Sequence, residues 1–145
     1  MGGVLVCAHT GFNGTPEGSL ASLRAGAAAG YPVAEVDVRL TRDGIPVLHH
    51  DAALSCMPDA PIDGLRWAEL SALRPGLVLF SKALTLTRAL GLSLNIDLKT
   101  PLAAEPCAAL CVHSGIAGRC YFSGLYPNDA RAVAEQRLRV DAGVV

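Results

Sequence analysis

Runs of strand-forming residues alternate with helix-period stretches along this chain, and few folds accommodate that alternation. Extended segments are expected at 4–9, 33–40, 45–50, 93–99, 119–123 and 139–145. Between them, helix spacing is expected from the Thr15–Pro16 start signal to Gly30, around Trp67, Leu70 and Leu73, and over 84–90, 102–113 and 128–137. Residues 52–64 have no regular period and read as loop. Strand-helix alternation of this kind favours a parallel sheet with right-handed crossovers. The loop after the first strand, Thr10 to Gly14, does not spell the GxGxxG turn of a dinucleotide fold. With 145 residues, 51% of them hydrophobic, one domain spanning residues 1–145 is expected.

Other features narrow the partners. A net charge of −1 with scattered Lys and Arg gives no footprint for nucleic acid. No apolar run approaches the roughly 18 residues of a membrane span. Met1 to Ala8 lacks the pattern of a signal peptide, so a cytoplasmic protein is the expectation. The five cysteines show no framework spacing and are expected to be reduced thiols. Cys107 and Cys111, one helical turn apart among Ala and Leu, suit packing better than a metal site with His113.

Polar residues break the strand pattern in one recurring place. Strands of a parallel sheet are normally covered on both faces and read as continuous apolar runs. Yet VAEVDVRL (33–40) puts Glu35, Asp37 and Arg39 on one face, and SLNIDLK (93–99) does the same with Asn95, Asp97 and Lys99. His9 ends the first strand and His50 the third. In a (β/α) barrel, the carboxyl ends of the strands form the mouth where active sites sit. Polar residues arriving there from separate strands are best explained as one site. Carboxylates about 4 Å apart repel by about 4 kcal/mol per pair at an effective dielectric of 20, so Glu35, Asp37 and Asp97 call for a cation. All-oxygen ligands favour a hard divalent ion, Ca²⁺ or Mg²⁺, and Lys99 could offset charge or hold a substrate anion. Imidazoles titrate near neutrality, so His9 and His50 suit an acid and base pair.

Four segments carry a resemblance: AHTG (8–11), PEGSLASLRAG (16–26), EVDVRLTRDGIPVLHHD (35–51) and LNIDLK (94–99). Through them the chain resembles the glycerophosphodiester phosphodiesterases over essentially its whole length. The resemblance implies a TIM-type (β/α) barrel and metal-dependent hydrolysis of glycerophosphodiesters to glycerol 3-phosphate and an alcohol. It implies that Glu35, Asp37 and Asp97 hold the metal, His9 and His50 act as acid and base, Lys99 contacts substrate or metal site, and Glu17 supports substrate binding. Three departures stand beside it. Thr10 occupies the position after the first histidine where the family usually has arginine, so weaker phosphate binding is expected. Asp97 stands where the family commonly has glutamate. The barrel is expected to be short at its carboxyl end, with about six of the usual eight strands. A competing expectation follows, a catalytically impaired barrel remnant that binds a cation or anionic ligand, or self-assembles as a homo-oligomer over its open edges. A phospholipase D-like toxin with a similar histidine and acid arrangement is disfavoured by the missing secretion signal and disulfide pattern.

Overall fold

In the computed structural model, which describes residues 4–124, the alternation folds into a six-stranded sheet with helices packed against it. In chain order the elements are β1 (Cys7–Ala8), α1 (Leu20–Ala28), β2 (Val33–Leu40), β3 (Pro46–Leu48), α2 (Trp67–Leu73), β4 (Val78–Leu79), α3 (Phe80–Ala89), β5 (Ser93–Leu98), α4 (Ala104–His113) and β6 (Cys120–Ser123). β2 runs parallel to β1 and to β5, and β6 extends the parallel array beyond β5. Parallel strands laid side by side in chain order form the wall of a TIM-type (β/α) barrel. The helix expected at 128–137 and the strand expected at 139–145 lie outside the described residues.

The strand expected at 45–50 is not part of that wall. β3 returns antiparallel along the carboxyl half of β2, pairing Leu48 with Val38 and Pro46 with Leu40. A parallel connection needs a dozen or more residues, and the short segment from Thr41 to Ile45 permits only a hairpin. Thr41 closes it, its hydroxyl donating to Asp43 Oδ1 at 2.6 Å and accepting from the Ile45 N–H at 2.9 Å. β4 then pairs antiparallel with β3, a two-residue strand too short to carry a sequence period.

Two cores follow from this geometry. Leu94, Ile96 and Leu98 of β5 pack with Leu23, Val36, Phe80 and Leu84 in the main core, leaving Asn95 and Asp97 on the opposite face. Cys107 and Cys111 belong to the same core, and burial pushes the Cys107 thiol well above its ordinary value. β3 serves both cores: Leu48 joins the main one, while Val47 packs with Leu54, Ile62, Leu70 and Leu77 in a smaller one. Phe80 is fully buried, and α3 begins there, ahead of the expected start at Leu84.

Helix α1 also starts elsewhere than its sequence signal suggests. Ser19, not Thr15, is the N-cap, its Oγ accepting from the Ser22 N–H at 3.2 Å. The Thr15 hydroxyl is used by the Phe12 carbonyl at 2.7 Å, closing a short 3₁₀ turn, so Pro16 lies in loop. Inside α1, Gly26 costs about 1 kcal/mol relative to alanine in helix propensity, yet a Cβ there would lie 2.8 Å from Ala8 Cβ. The glycine lets the helix sit against β1 just before His9. Gly26→Leu is expected to cost about 1–3 kcal/mol by overpacking. A lowered urea midpoint at unchanged slope would show it; an unmoved midpoint would mean that the helix accommodates the side chain.

Candidate active site

Strand register builds the acidic centre. Parallel pairing of Val33 with Ser93 sets Glu35 beside Asn95 and Asp37 beside Asp97, with Glu35, Asp37 and Asp97 on one face. Each offers a carboxylate oxygen, and these oxygens all lie within 4.8 Å of one another. Lys99 lies in the same group, its Nζ 2.9 Å from Asp37 Oδ1 and 2.7 Å from Asp97 Oδ2. Three carboxylates and one ammonium leave negative charge uncompensated. Among the described residues, Asp97 Oδ1 is a buried oxygen without a hydrogen-bond partner. That orphaned acceptor, the all-oxygen donor set and the short mutual distances fit a hard divalent cation. Gly124, which follows β6, has φ +77°, and a Cβ on it would collide with Asp97 Oδ1. A side chain there would displace the carboxylate from the centre.

Of the two histidines, His9 lies against this centre, and His50 sits on the hairpin that returns beside β2. His9 directly follows β1, and its Nε2 is 3.8 Å from Glu35 Oε2. Its Nδ1 faces the Thr10 carbonyl at 2.9 Å. A carbonyl only accepts, so Nδ1 carries the proton of the neutral ring and Nε2 presents a lone pair. The β2–β3 hairpin returns His50 alongside β2, with the neighbouring His49 N–H bonded to the Asp37 carbonyl at 3.1 Å. His50 is exposed, and its Nδ1 lies 2.9 Å from Asp51 Oδ1, again leaving Nε2 open. That hydrogen bond to His50 holds the Asp51 carboxyl below its ordinary range. His49 is tied down instead, its Nε2 on the Ala53 carbonyl at 3.2 Å and its Nδ1 on Arg74 Nη1 at 3.1 Å.

Thr10 is buried and turned to structural use. Its N–H donates to Glu35 Oε2 at 3.0 Å, and its hydroxyl accepts the Gly18 N–H at 2.9 Å. Glu17 is exposed in the same loop, and a Cβ on Gly11 would meet its side chain at 3.1 Å. The main-chain donor to Glu35 and the Asp51 partner of His50 are contacts that the sequence did not reveal. The pair His50-Asp51 was adjacent in the chain, but a backbone amide leaves no mark in a sequence.

Electrostatics of the centre follow from burial. The Glu35 carboxyl lies above its ordinary value because it is buried; Asp37 and Asp97 add to the rise, while the Thr10 N–H and His9 oppose it. For Lys99, burial pulls downward, but the hydrogen bonds to Asp97 and Asp37 outweigh it and the net shift is upward. Lys99 therefore contributes stability that is complete below 10.5 and is lost as pH rises through its folded value. Glu35 acts in the opposite sense for an acid: above 4.5 the native state holds its proton longer than the unfolded chain, so stability falls as pH rises through that window. Burial lowers His49 from 6.5, which gives the reverse slope over part of the same range. Comparison with Glu35→Gln cancels that contribution. In chelator at pH 7.5 the variant is expected to melt higher than wild type, with the advantage shrinking toward pH 5. A constant difference across that range would show that Glu35 does not titrate there.

Residues 9–113 match the model of the glycerophosphoryl diester phosphodiesterase family. The chain is 32% identical over 111 residues to a Mycobacterium tuberculosis protein named "Probable glycerophosphodiester phosphodiesterase 2", a match covering 72% of this chain and 42% of that protein. A putative glycerophosphoryl diester phosphodiesterase from Silicibacter pomeroyi superposes with TM-score 0.77 at 18% identity, over 98% of this chain and 62% of its own. An Oleispira antarctica phosphodiesterase, solved with the product sn-glycerol-3-phosphate, superposes with TM-score 0.68 at 28% identity, over 89% of this chain and 60% of its own. The chain thus spans less than two thirds of the length of each of these proteins.

Proposed function

Because the chain belongs to the glycerophosphoryl diester phosphodiesterase family, we propose that it hydrolyses glycerophosphodiesters to glycerol 3-phosphate and an alcohol in a metal-dependent reaction. The observation that carries this reading is the cluster of Glu35, Asp37 and Asp97, whose carboxylate oxygens lie within 4.8 Å of one another, with one Asp97 oxygen left without a hydrogen-bond partner. In this reading those three residues hold Ca²⁺ or Mg²⁺. Such an ion supplies positive charge at a phosphoryl oxygen and lowers the pKa of a hydroxyl beside it. His9 and His50 move the protons. One Nε2 takes the proton of a glycerol hydroxyl as its oxygen bonds to phosphorus to form a cyclic phosphate, and the other, arriving protonated, gives its proton to the alcohol oxygen whose bond to phosphorus breaks. Water then opens the cyclic phosphate with the roles exchanged. Lys99 keeps Asp37 and Asp97 in place and offers an ammonium to the substrate phosphate, with Glu17 in support.

Thr10 sets an expectation for affinity. Its side chain is neutral and its hydroxyl accepts the Gly18 N–H, so it brings no charge to the phosphate, and substrate binding rests on the metal site and Lys99. The substrate is a water-soluble diester, and a cytoplasmic location is part of the same proposal. No helix among the described residues is long and apolar enough to cross a membrane.

Purified protein given glycerophosphocholine or glycerophosphoethanolamine is expected to release glycerol 3-phosphate with Ca²⁺ or Mg²⁺, and to stop with chelator. Cation binding without release under any divalent ion would overturn the reading in favour of a non-catalytic barrel.

A further inference from the structure

We propose that Arg39 is a positioning residue that holds His50 in its working orientation, an inference that rests on the acid/base role given to His50. Arg39 lies two residues beyond Asp37 on β2, so the period of the strand sets it on the face that carries Glu35 and Asp37. From there its Nε–H donates to the His50 carbonyl at 3.0 Å. That bond falls where β3 has ended. Leu48 is the last paired residue of β3, and the His49 N–H bond to the Asp37 carbonyl is the final rung between the two segments. The chain at His50 has left the sheet, and Arg39 ties it back.

The same guanidinium also lies under the segment that follows His50. It lines a small cavity with Ala52, Pro61 and Asp63, which places it beneath the loop that follows His50. Burial lowers its pKa, and against that the carboxylates of Asp51, Asp63 and Asp37 around it favour its charged form. Asp51 is the carboxylate that meets His50 Nδ1 at 2.9 Å. Arg39 therefore fixes the main chain of His50 through a hydrogen bond, while Asp51, the next residue along that tethered chain, orients the imidazole. With the proton held on Nδ1, the lone pair of Nε2 faces outward for proton transfer. Lysine at this position would keep the charge but lose the Nε–H of a planar guanidinium.

Two arms test the proposal. Nitrogen-15 histidine spectra of the full chain are expected to show His50 as the Nδ1–H tautomer in wild type and as a tautomer mixture in Arg39→Gln. In the kinetic arm, Arg39→Gln is expected to lower kcat roughly 10- to 100-fold, the range for groups that orient a working residue. KM and cation affinity are expected to stay within about twofold, and Arg39→Gln added to His50→Ala should cost nothing further. Arg39→Lys should fall between wild type and Arg39→Gln, and it replaces Arg39→Gln if the latter fails to fold. An unchanged tautomer, an equal kcat loss in the His50→Ala background, or a raised KM at unchanged kcat would each overturn the proposal. If wild type releases no glycerol 3-phosphate, the functional reading fails while the tautomer comparison still decides the role of Arg39.

Discussion

Replacing Asp37 by asparagine is expected to remove the rise in melting temperature that Ca²⁺ or Mg²⁺ gives the wild-type chain, and to lower turnover more than about a hundredfold. Asp37 is 2% exposed and sits at the middle of the acidic cluster, opposite Asp97 and in contact with Lys99. Asparagine keeps its size and one acceptor oxygen, so the strand can still pack. What disappears is the charge that a hard cation needs. A ligand at a hundred times its dissociation constant stabilises the native state by about 2.7 kcal/mol, so the loss is readily seen in thermal unfolding with and without the ion. Lys99 keeps its partner Asp97 in the variant, which limits collateral damage. Full cation-dependent stabilisation in Asp37→Asn would mean that the ion is held elsewhere, and the proposed centre would fall with it.

The acidic centre was legible because its signal is local. Alternation along 33–40 and 93–99 fixes which side chains share a face before any fold is known, and the parallel register then sets Asp37 beside Asp97. His9 was expected as the last residue of a strand over 4–9; it directly follows β1, which spans only Cys7–Ala8. Features that depend on where other segments arrive were not legible. Thr15 and Ser19 are both competent caps, and the choice between them turned on the Phe12 carbonyl taking the Thr15 hydroxyl. The direction of β3 depended on the short turn at Thr41, which closes a hairpin back on β2 where a parallel sheet was expected. Arg39 was seen on the acidic face, yet its partner is the carbonyl of His50, eleven residues away in sequence. Thr10 stood out as a departure from the family pattern. Only the structure gives it work, as the amide donor that helps hold Glu35.

His50→Ala is expected to lower kcat by about 10²- to 10⁴-fold, the usual contribution of a positioned acid or base, while leaving cation binding intact. That separates it from Asp37→Asn, where turnover and cation-dependent stabilisation are lost together. The neighbouring His49 supplies an internal control, because the two histidines have opposite surroundings. His50 is exposed with Nε2 open, whereas both nitrogens of His49 are engaged, by the Ala53 carbonyl and by Arg74, in a half-buried setting that lowers its pKa. A ring held at both nitrogens cannot swing to a substrate without breaking two hydrogen bonds. His49→Ala is therefore expected to lower the melting temperature while keeping most of kcat. His9→Ala should resemble His50→Ala, and the double variant should fall well short of the product of the two losses, since removing one proton carrier already disables the transfer that needs both. The measurement is kcat and KM for glycerophosphocholine at saturating Ca²⁺, alongside calorimetric cation binding for each variant. Wild-type kcat in His50→Ala, or a kcat collapse in His49→Ala at unchanged melting temperature, would move the proton transfer from one histidine to the other and with it the geometry that Arg39 and Asp51 build around His50.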